Sequence, residues 1–247
     1  MKKYVINLER RKDRLEKFLK NCPITPVSDF TVVKAFDGKF MKYNLNSENY
    51  TEELDWFHNL FRGNLNPGER GCFITHLRAY KEMVENDISM ALIFEDDVIF
   101  DNKDSKQIYD NVVTEIPSDF DIIYLGSHKP GGGLISTLNE EYYKYISPHL
   151  SKHICKIEGP HCRGTFAHII SLKCAKYIID YFYSKYSKKK QIYEALDLWL
   201  LRTVFKSTRS ISVLNSKPLF CWSSPASGSS DIRGRNRAKN MNEVIYE

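Results

Sequence analysis

Apolar residues recur along the chain in two alternating patterns. Short runs that are continuously apolar, or rich in β-branched and aromatic residues, predict buried strands over residues 3–8, 30–36, 91–100, 121–127 and 164–171. Apolar residues at helical spacing predict helices over residues 9–20, 66–86, 173–186 and 191–205. Because strands alternate with helices, the pattern predicts an α/β fold with a mostly parallel central sheet flanked by helices. Ligands of such folds bind outside the carboxyl ends of the strands.

The helix over 66–86 has the most specific start signal. Asn66 is the predicted cap, Pro67 occupies the first helical position, and Glu69 completes a capping box. His76 lies on the apolar stripe of this helix, where a histidine is more often a packed core residue than a ligand or a base. We expect the helix to pack on the sheet through this stripe.

Three segments lack a regular pattern. Residues 40–65 are irregular and aromatic. Residues 129–133, Lys-Pro-Gly-Gly-Gly, predict a flexible loop that could act as a lid; no Lys-Ser/Thr pair follows, so it is not a phosphate-binding Walker loop. From residue 218 onward the chain is rich in Ser, Arg and Asn, which predicts a loop or tail rather than a core element.

Composition narrows the class of protein. With 247 residues, 42% of them hydrophobic and 27% charged, the chain can form one large domain or two small ones, and it is neither disordered nor collagen-like. The net charge of +5 equals the local excess within residues 1–20, which hold eight Lys or Arg against three acids. A short basic patch mixed with acids does not make a nucleic-acid surface, so we expect no nucleic-acid partner.

The chain carries no sign of a membrane or secretory segment. No apolar run approaches the ~18 residues that cross a bilayer, and the N-terminus has no apolar stretch typical of a signal peptide. We therefore expect no transmembrane segment, a cytoplasmic location and six reduced cysteines.

The sharpest chemical signal is the acidic triplet Glu95, Asp96 and Asp97, which is embedded in an apolar strand. Burying three like charges is costly unless a cation neutralises them. Strand geometry would place Glu95 and Asp97 on one face, where they could share a hard divalent ion such as Mg²⁺ or Mn²⁺. The alternative is a strand end with solvated acids.

Two further features have two interpretations each. Arg10, Arg11 and Arg14 follow the first strand, where guanidinium groups and helix-start amides suit a diphosphate; alternatively they belong to a solvated first helix. Asp197 lies among leucines and a tryptophan, so it is either a helix cap or a functional acid that takes a proton.

These segments together resemble glycosyltransferase family 25, which includes lipopolysaccharide-modifying galactosyltransferases and collagen hydroxylysine galactosyltransferases. The central block over residues 67–98 is the most specific part, because helix, histidine and acidic triplet stand in register. The resemblance is also carried by residues 5–14 (VINLERRKDR), 32–38 (VVKAFDG), 125–127 (LGS), 164–179 (GTFAHIISLKCAKYII) and 230–232 (SDI).

The resemblance implies a GT-A-type fold, a UDP-sugar donor, a Mn²⁺ or Mg²⁺ ion and inversion at the anomeric carbon. It implies Asp97 as a metal ligand, Glu95 toward the ion or ribose, and Asp197 as the base. Asp231 is the candidate third metal ligand, since no histidine follows His168. The implied donor-binding residues also include Asn7, Leu8, Arg10, Arg11, Arg14, Ala35, Asp37 and Asp96.

The predicted function is therefore a metal-dependent inverting transfer of a hexose, galactose or glucose, to a hydroxyl of a glycan, lipopolysaccharide or hydroxylysine acceptor. Residues 1–217 would form the catalytic domain, and the polar segment 218–247 would order over the bound donor. Two alternatives stay open. One is a catalytically silent sugar- or nucleotide-binding scaffold. The other is a metal-dependent nuclease or phosphotransferase, for which Asp101 and Asp104 offer the extra carboxylates.

Overall fold

A computed structural model describes residues 1–38, 60–61, 65–100, 104–128, 146–157, 164–186, 191–207, 213–216 and 220–223. Its strands are β1 (Lys2–Asn7), β2 (Phe30–Lys34), β3 (Met90–Glu95), β4 (Ile122–Tyr124), β5 (Gly126–His128), β6 (Ile146–His149), β7 (Ile154–Ile157), β8 (Ala167–Ser171), β9 (Val213–Ser216) and β10 (Cys221–Ser223). The main sheet has eight strands in the order β2-β1-β3-β8-β4-β9-β7-β6, and β5 pairs with β10 in a separate parallel ribbon.

The main sheet is mixed but mostly of one direction. The pairings β2–β1, β1–β3 and β4–β9 are parallel, whereas β8 and β7 are antiparallel to both of their neighbours. Six of the eight strands therefore run the same way. This confirms the predicted α/β fold with a mostly parallel sheet.

Helices cover both faces of this sheet. They are α1 (Lys12–Asn21), α2 (Pro67–Glu85), α3 (Ser105–Thr114), α4 (Leu172–Tyr186) and α5 (Leu196–Trp199). One apolar cluster lies under α2, α4 and α5, and the other lies under α1 and α3. Successive side chains of β3 point to opposite faces of the sheet, so Ile93 belongs to the first cluster and Leu92 and Phe94 belong to the second.

Several predicted elements have different bounds: the strand over 121–127 is split into β4 and β5, and the strand over 164–171 begins at Ala167. The predicted strand over 91–100 ends at Glu95, because Asp96 and Asp97 form a turn in which the Val98 N–H donates back to the Glu95 carbonyl at 3.4 Å. The predicted helix over 191–205 begins only at Leu196, because Ile192 forms a bridge to Phe61. It then continues through a π-helical turn, Leu200–Val204.

The expectation that no core element follows residue 218 is wrong at residues 220 and 221. Phe220 is 1% exposed and packs against the rings of Phe94, Phe100 and Tyr109. Cys221 begins β10 and is also buried. The polar composition of the region concealed one short apolar group, Leu-Phe-Cys-Trp at 219–222.

Other predictions lie outside the described residues. These are the loop over 129–133, most of the irregular segment 40–65, and the C-terminal segment beyond residue 223. Within the described ranges, no helix combines the length and apolar character needed to cross a bilayer. In the same ranges Cys22, Cys72, Cys174 and Cys221 are free thiols.

Candidate functional site

A cleft of about 340 Å³ opens where β1, β2 and β3 end. Because these strands are parallel, their carboxyl ends meet at one edge, which is where α/β folds bind ligands. The cleft contains many predicted site residues: Leu8, Arg10, Arg14, Ala35, Asp37, Glu95, Asp96 and Asp97. Its other lining residues are Ile6, Phe36, Gly38, Asn66, Pro67, Gly68 and Cys72.

The turn after β3 is held by the start of the chain. Asp96 is buried, and its carboxylate accepts from Asn7 Nδ2 at 2.6 Å and from Arg14 Nη1 at 3.1 Å. Burial raises the pKa of Asp96 to about 6, although Arg14 and Asn7 act against that shift. Asp97 lies next to this pair, with Oδ2 3.9 Å from Arg14 Nη1. Asp96 and Arg14 thus anchor the turn, and Asn7 supports it from beneath the cleft.

Arg10 and Arg11, which follow β1, pair with different acids. Arg10 pairs with Asp37, which joins the turn after β1 to the loop after β2 at the cleft wall. Arg11 is not brought to the cleft. Its guanidinium donates from Nε and Nη2 to both carboxylate oxygens of Asp13, at 2.9 and 2.8 Å. Of the three predicted arginines, Arg11 is thus the one that is not among the lining residues, and it is paired with Asp13.

The opposite wall is the start of α2, against which the loop after β2 packs closely. A Cβ at Gly71 would lie 2.3 Å from the Phe36 carbonyl oxygen, so the approach requires glycine. Phe36 N–H donates to Thr75 Oγ1 at 2.9 Å, which fixes the loop on the helix. The predicted capping box is present, with Glu69 N–H donating to Asn66 Oδ1. Sequence reasoning recognised this helix start but not that it lines the site.

Glu95 forms the inner wall of the cleft. Its Oε1 lies 3.1 Å from His76 Nε2, 3.4 Å from Thr165 Oγ1 and 3.7 Å from Cys72 Sγ. Burial raises the pKa of the Cys72 thiol well above its usual range, and the charges of Glu95, Asp197 and Asp97 raise it further. Three carboxylates therefore concentrate negative charge around one point.

The donor atoms of Cys72, His76 and Glu95 lie within 4.8 Å of one another, a spacing that could hold a metal ion. Cysteine, histidine and carboxylate suit zinc. A histidine that binds a metal, however, almost always donates its second ring N–H to a partner. His76 Nδ1 is buried and has no hydrogen-bond partner among the described residues. The geometry therefore favours a cluster of hydrogen bonds that hold Glu95, rather than a zinc site.

Asp197 lies in the first turn of α5. Its Oδ2 accepts from Gly164 N–H at 3.1 Å and its Oδ1 from Leu198 N–H at 2.9 Å. Gly164 has a φ of 97°, a conformation that favours glycine. Asp197 is not among the described residues that line the cleft, but its charge reaches Cys72 on the cleft wall. Asp231 lies outside the described residues.

Sequence reasoning missed the interior support of the site. Thr165 precedes β8 and gives no sequence signal of contact with Glu95. Cys72 and His76 are spaced by four residues on α2, and that spacing was a recognisable sign that they share a helix face. Only the fold shows that this face meets the end of β3.

Comparison with known proteins places these features in a family. Residues 1–197 match the model of glycosyltransferase family 25 (LPS biosynthesis protein). Human procollagen galactosyltransferase 2 is 30% identical over 127 residues, which are 50% of this chain and 20% of that protein. The bovine probable inactive glycosyltransferase 25 family member 3 is 26% identical over 182 residues, 71% of this chain and 28% of that protein.

Solved structures give weaker likenesses. The mannose-1-phosphate geranyltransferase of Thermus thermophilus has a TM-score of 0.42 at 10% identity, covering 87% of this chain and 74% of that one. Mouse xyloside xylosyltransferase 1 has a TM-score of 0.37 at 9% identity, covering 84% and 69%. The fold assignment therefore rests on the strand order, which agrees with the GT-A-type architecture expected from the resemblance. The family match spans the cleft and its supports, and the chain belongs to glycosyltransferase family 25.

Proposed function

We propose that the protein transfers a hexose from a UDP-sugar to an acceptor hydroxyl, with inversion and with the help of a divalent cation. The observation that supports this most is that the acidic turn, Arg10 and the start of α2 line one cleft at the carboxyl ends of β1, β2 and β3. Galactose is the favoured sugar, because several relatives are described as procollagen galactosyltransferases. A glycan, a lipopolysaccharide or a hydroxylysine would supply the acceptor hydroxyl.

The carboxylates fit a hard cation. Asp97 and Glu95 line the cleft and offer the oxygen ligands that Mn²⁺ and Mg²⁺ prefer. Burial, and after it the charges of Glu95, Asp197 and Asp97, raise the pKa of Cys72, and a cation would offset those charges. When bound, the ion would neutralise the charge that develops on the leaving diphosphate.

The chain's own groups would bind the rest of the donor. Arg10 and the Gly68 N–H at the start of α2, which lies at the positive end of the helix dipole, suit the diphosphate. Ala35 and Asp37 lie on the loop packed against α2 and suit the nucleoside. Arg14 is committed to Asp96, so its contribution would be to hold the acidic turn in place.

In-line attack by the acceptor hydroxyl requires a base. Asp197 is the proposed base, because it is a carboxylate oriented by two backbone N–H groups, and its charge reaches the cleft wall at Cys72. The two N–H donors fix the orientation of the carboxylate.

The decisive experiment measures UDP release from a panel of UDP-sugars with Mn²⁺, with Mg²⁺ or with a chelator. We expect release from one UDP-sugar, loss of release with the chelator, and loss of release in Asp97→Asn. Asp110→Asn is the matched control, because Asp110 is an exposed carboxylate on α3 paired with Lys106. Full metal-dependent turnover in Asp97→Asn would refute the assigned ion site.

The relatives also support a second candidate, a catalytically silent member that retains the cleft. The human inactive glycosyltransferase 25 family member 3 is 32% identical over 127 residues, 50% of this chain and 21% of that protein. This candidate predicts that UDP with Mn²⁺ raises the melting temperature while no UDP-sugar is turned over with any acceptor. Turnover of one UDP-sugar eliminates it.

A further inference from the structure

Glu95 is contacted by side chains of the protein interior that differ from the partners described above for Asp96 and Asp97. It is the last residue of β3, and its backbone N–H donates to the Phe166 carbonyl at 2.8 Å. Its side-chain Oε1 is approached by His76, Thr165 and Cys72. An ionised carboxylate offers only acceptors, so each of these three groups must donate to it.

That requirement determines the tautomer of His76. The ring is wholly buried, and its Nδ1 has no hydrogen-bond partner among the described residues, so a proton on Nδ1 would be a buried donor left unsatisfied. With Glu95 accepting at Nε2, the proton lies on Nε2, and the unpartnered Nδ1 carries only a lone pair. A buried acceptor without a partner is easier to tolerate than a buried N–H without one.

A second buried histidine holds the first in place. The His168 ring stacks on His76, with centroids 5.6 Å apart and planes at 29°. His168 Nδ1 lies 2.9 Å from the Thr165 carbonyl, which can only accept, so Nδ1 carries the proton. His168 Nε2 is then the acceptor for the Tyr80 hydroxyl at 3.0 Å.

Thr165 closes this arrangement into a ring of contacts. Its carbonyl fixes His168, and its hydroxyl reaches Glu95 Oε1. The sheet register supports the same geometry, because His168 on β8 stands opposite Ile93 on β3. Glu95 is therefore positioned from α2, β3 and β8 together, and the interior can set the direction of its carboxylate.

We propose that His76 is a positioning residue, which donates from Nε2 to Glu95 and so orients that carboxylate toward the metal-bound donor. This rests on the proposed function, and it extends the site to a residue that does not itself line the cleft. Removing such an orienting hydrogen bond typically costs about 10–100-fold in metal affinity or activity.

The test is titration calorimetry of UDP with Mn²⁺ on the full chain. We expect His76→Leu to weaken Mn²⁺-dependent UDP binding about tenfold, and His76→Gln, which retains an N–H donor, to keep most of the affinity. Met83→Ala is the stability control, because Met83 is fully buried on the same helix, about two turns beyond His76. It should lower the melting temperature without changing the affinity.

Three results would overturn the proposal. They are wild-type affinity in His76→Leu, equal losses in His76→Leu and His76→Gln, and an equal loss in Met83→Ala. Nitrogen NMR of the ligand-free protein gives an independent readout, with the proton expected on Nε2 of His76 and on Nδ1 of His168. Absence of UDP binding in the wild type would refute the proposed function. A proton on Nδ1 of His76 would refute the positioning role whatever the donor does.

Discussion

At the scale of single residues, neighbouring acids of the triplet have different surroundings. Asp96 is buried against Arg14 and Asn7, whereas Asp97 lies beside this pair and lines the cleft. Glu95 is held from the other side by His76. The strand-face argument, which paired Glu95 with Asp97 by alternation, assumed that β3 continued through the triplet. The turn at Asp96 and Asp97 shows that it does not.

The proposed base gives the first residue-scale prediction. In Asp197→Asn the turnover should fall by about 10²- to 10⁴-fold, because the acceptor hydroxyl loses its proton acceptor. UDP binding should persist, since Asp197 does not line the part of the cleft that the structure describes. Steady-state turnover and UDP calorimetry measure the two effects. Asp180→Asn, an exposed carboxylate on α4, is the control. Loss of both turnover and binding would instead identify Asp197 as a structural acid.

The second prediction concerns acid stability. Burial lowers the pKa of His168 to about 3, far below its usual ~6.5. Below about pH 6.5 the unfolded chain binds a proton on this residue that the folded protein excludes. As the pH is lowered, the free energy of unfolding therefore decreases by up to about 1.4 kcal/mol per pH unit. His76 acts in the same direction, while the raised pKa of Asp96 opposes both.

Urea unfolding at about pH 7.5 and about pH 5 isolates the His168 contribution when the wild type is compared with His168→Gln. As the pH is lowered, the free energy of unfolding should decrease less steeply in the variant, by up to about 1.4 kcal/mol per pH unit, the contribution of one proton. Tyr80→Phe keeps the imidazole and should keep the wild-type slope. Identical slopes in the wild type and His168→Gln would contradict the prediction.

At the scale of elements, the sequence predicted the types of the main helices and strands because their hydrophobic periods are clear. It misplaced ends that depend on distant partners. β3 ends at a turn whose Asp96 carboxylate is held by Asn7 and Arg14, and the bridge to Phe61 delays the start of α5. The same difference between local patterns and distant contacts applies to the site. The motifs around Arg10 and Glu95 were recognisable, but the contributions of Cys72 and Thr165 depend on which elements meet in space.

The capping box at α2 gives an element-scale prediction. Asn66→Ala removes the side-chain acceptor for Glu69 N–H and should destabilise the protein by about 1 kcal/mol. Because Asn66, Pro67 and Gly68 line the cleft, the same change should weaken UDP binding. Thermal unfolding and UDP calorimetry measure the two effects. Asn66→Asp retains a capping oxygen and should preserve stability, and an equal loss in both variants would show that the cap is not the cause.

At the scale of the whole molecule, the chain returns to its core after the family match ends at residue 197. Phe220 fills the cluster beneath α1 and α3, and β10 pairs with β5. The sequence underestimated this return, because one short apolar group stands within a polar region. Residues 220 and 221 are therefore part of the packed domain rather than of a tail.

Phe220→Ala tests this assignment. Truncating a ring that is 1% exposed should cost about 3–5 kcal/mol in the free energy of unfolding. Tyr193→Ala, at a side chain that is 63% exposed, should change it by about 0.5 kcal/mol or less. Chemical denaturation compares the two. If Phe220→Ala lowers the free energy of unfolding no more than Tyr193→Ala does, residues 220 and 221 are not part of the packed domain.

The antiparallel strand β8 also has a consequence for synthesis on the ribosome. The lining of the cleft comes from residues 6–97, yet one edge of β3 is covered only by β8, which begins at Ala167. The 72 residues from Asp96 through Ala167 take about 4–14 s to translate at ~5–20 residues per second. During that interval a nascent chain with most of its cleft-lining residues already made presents an unpaired apolar strand edge, the kind of surface that chaperones protect from aggregation.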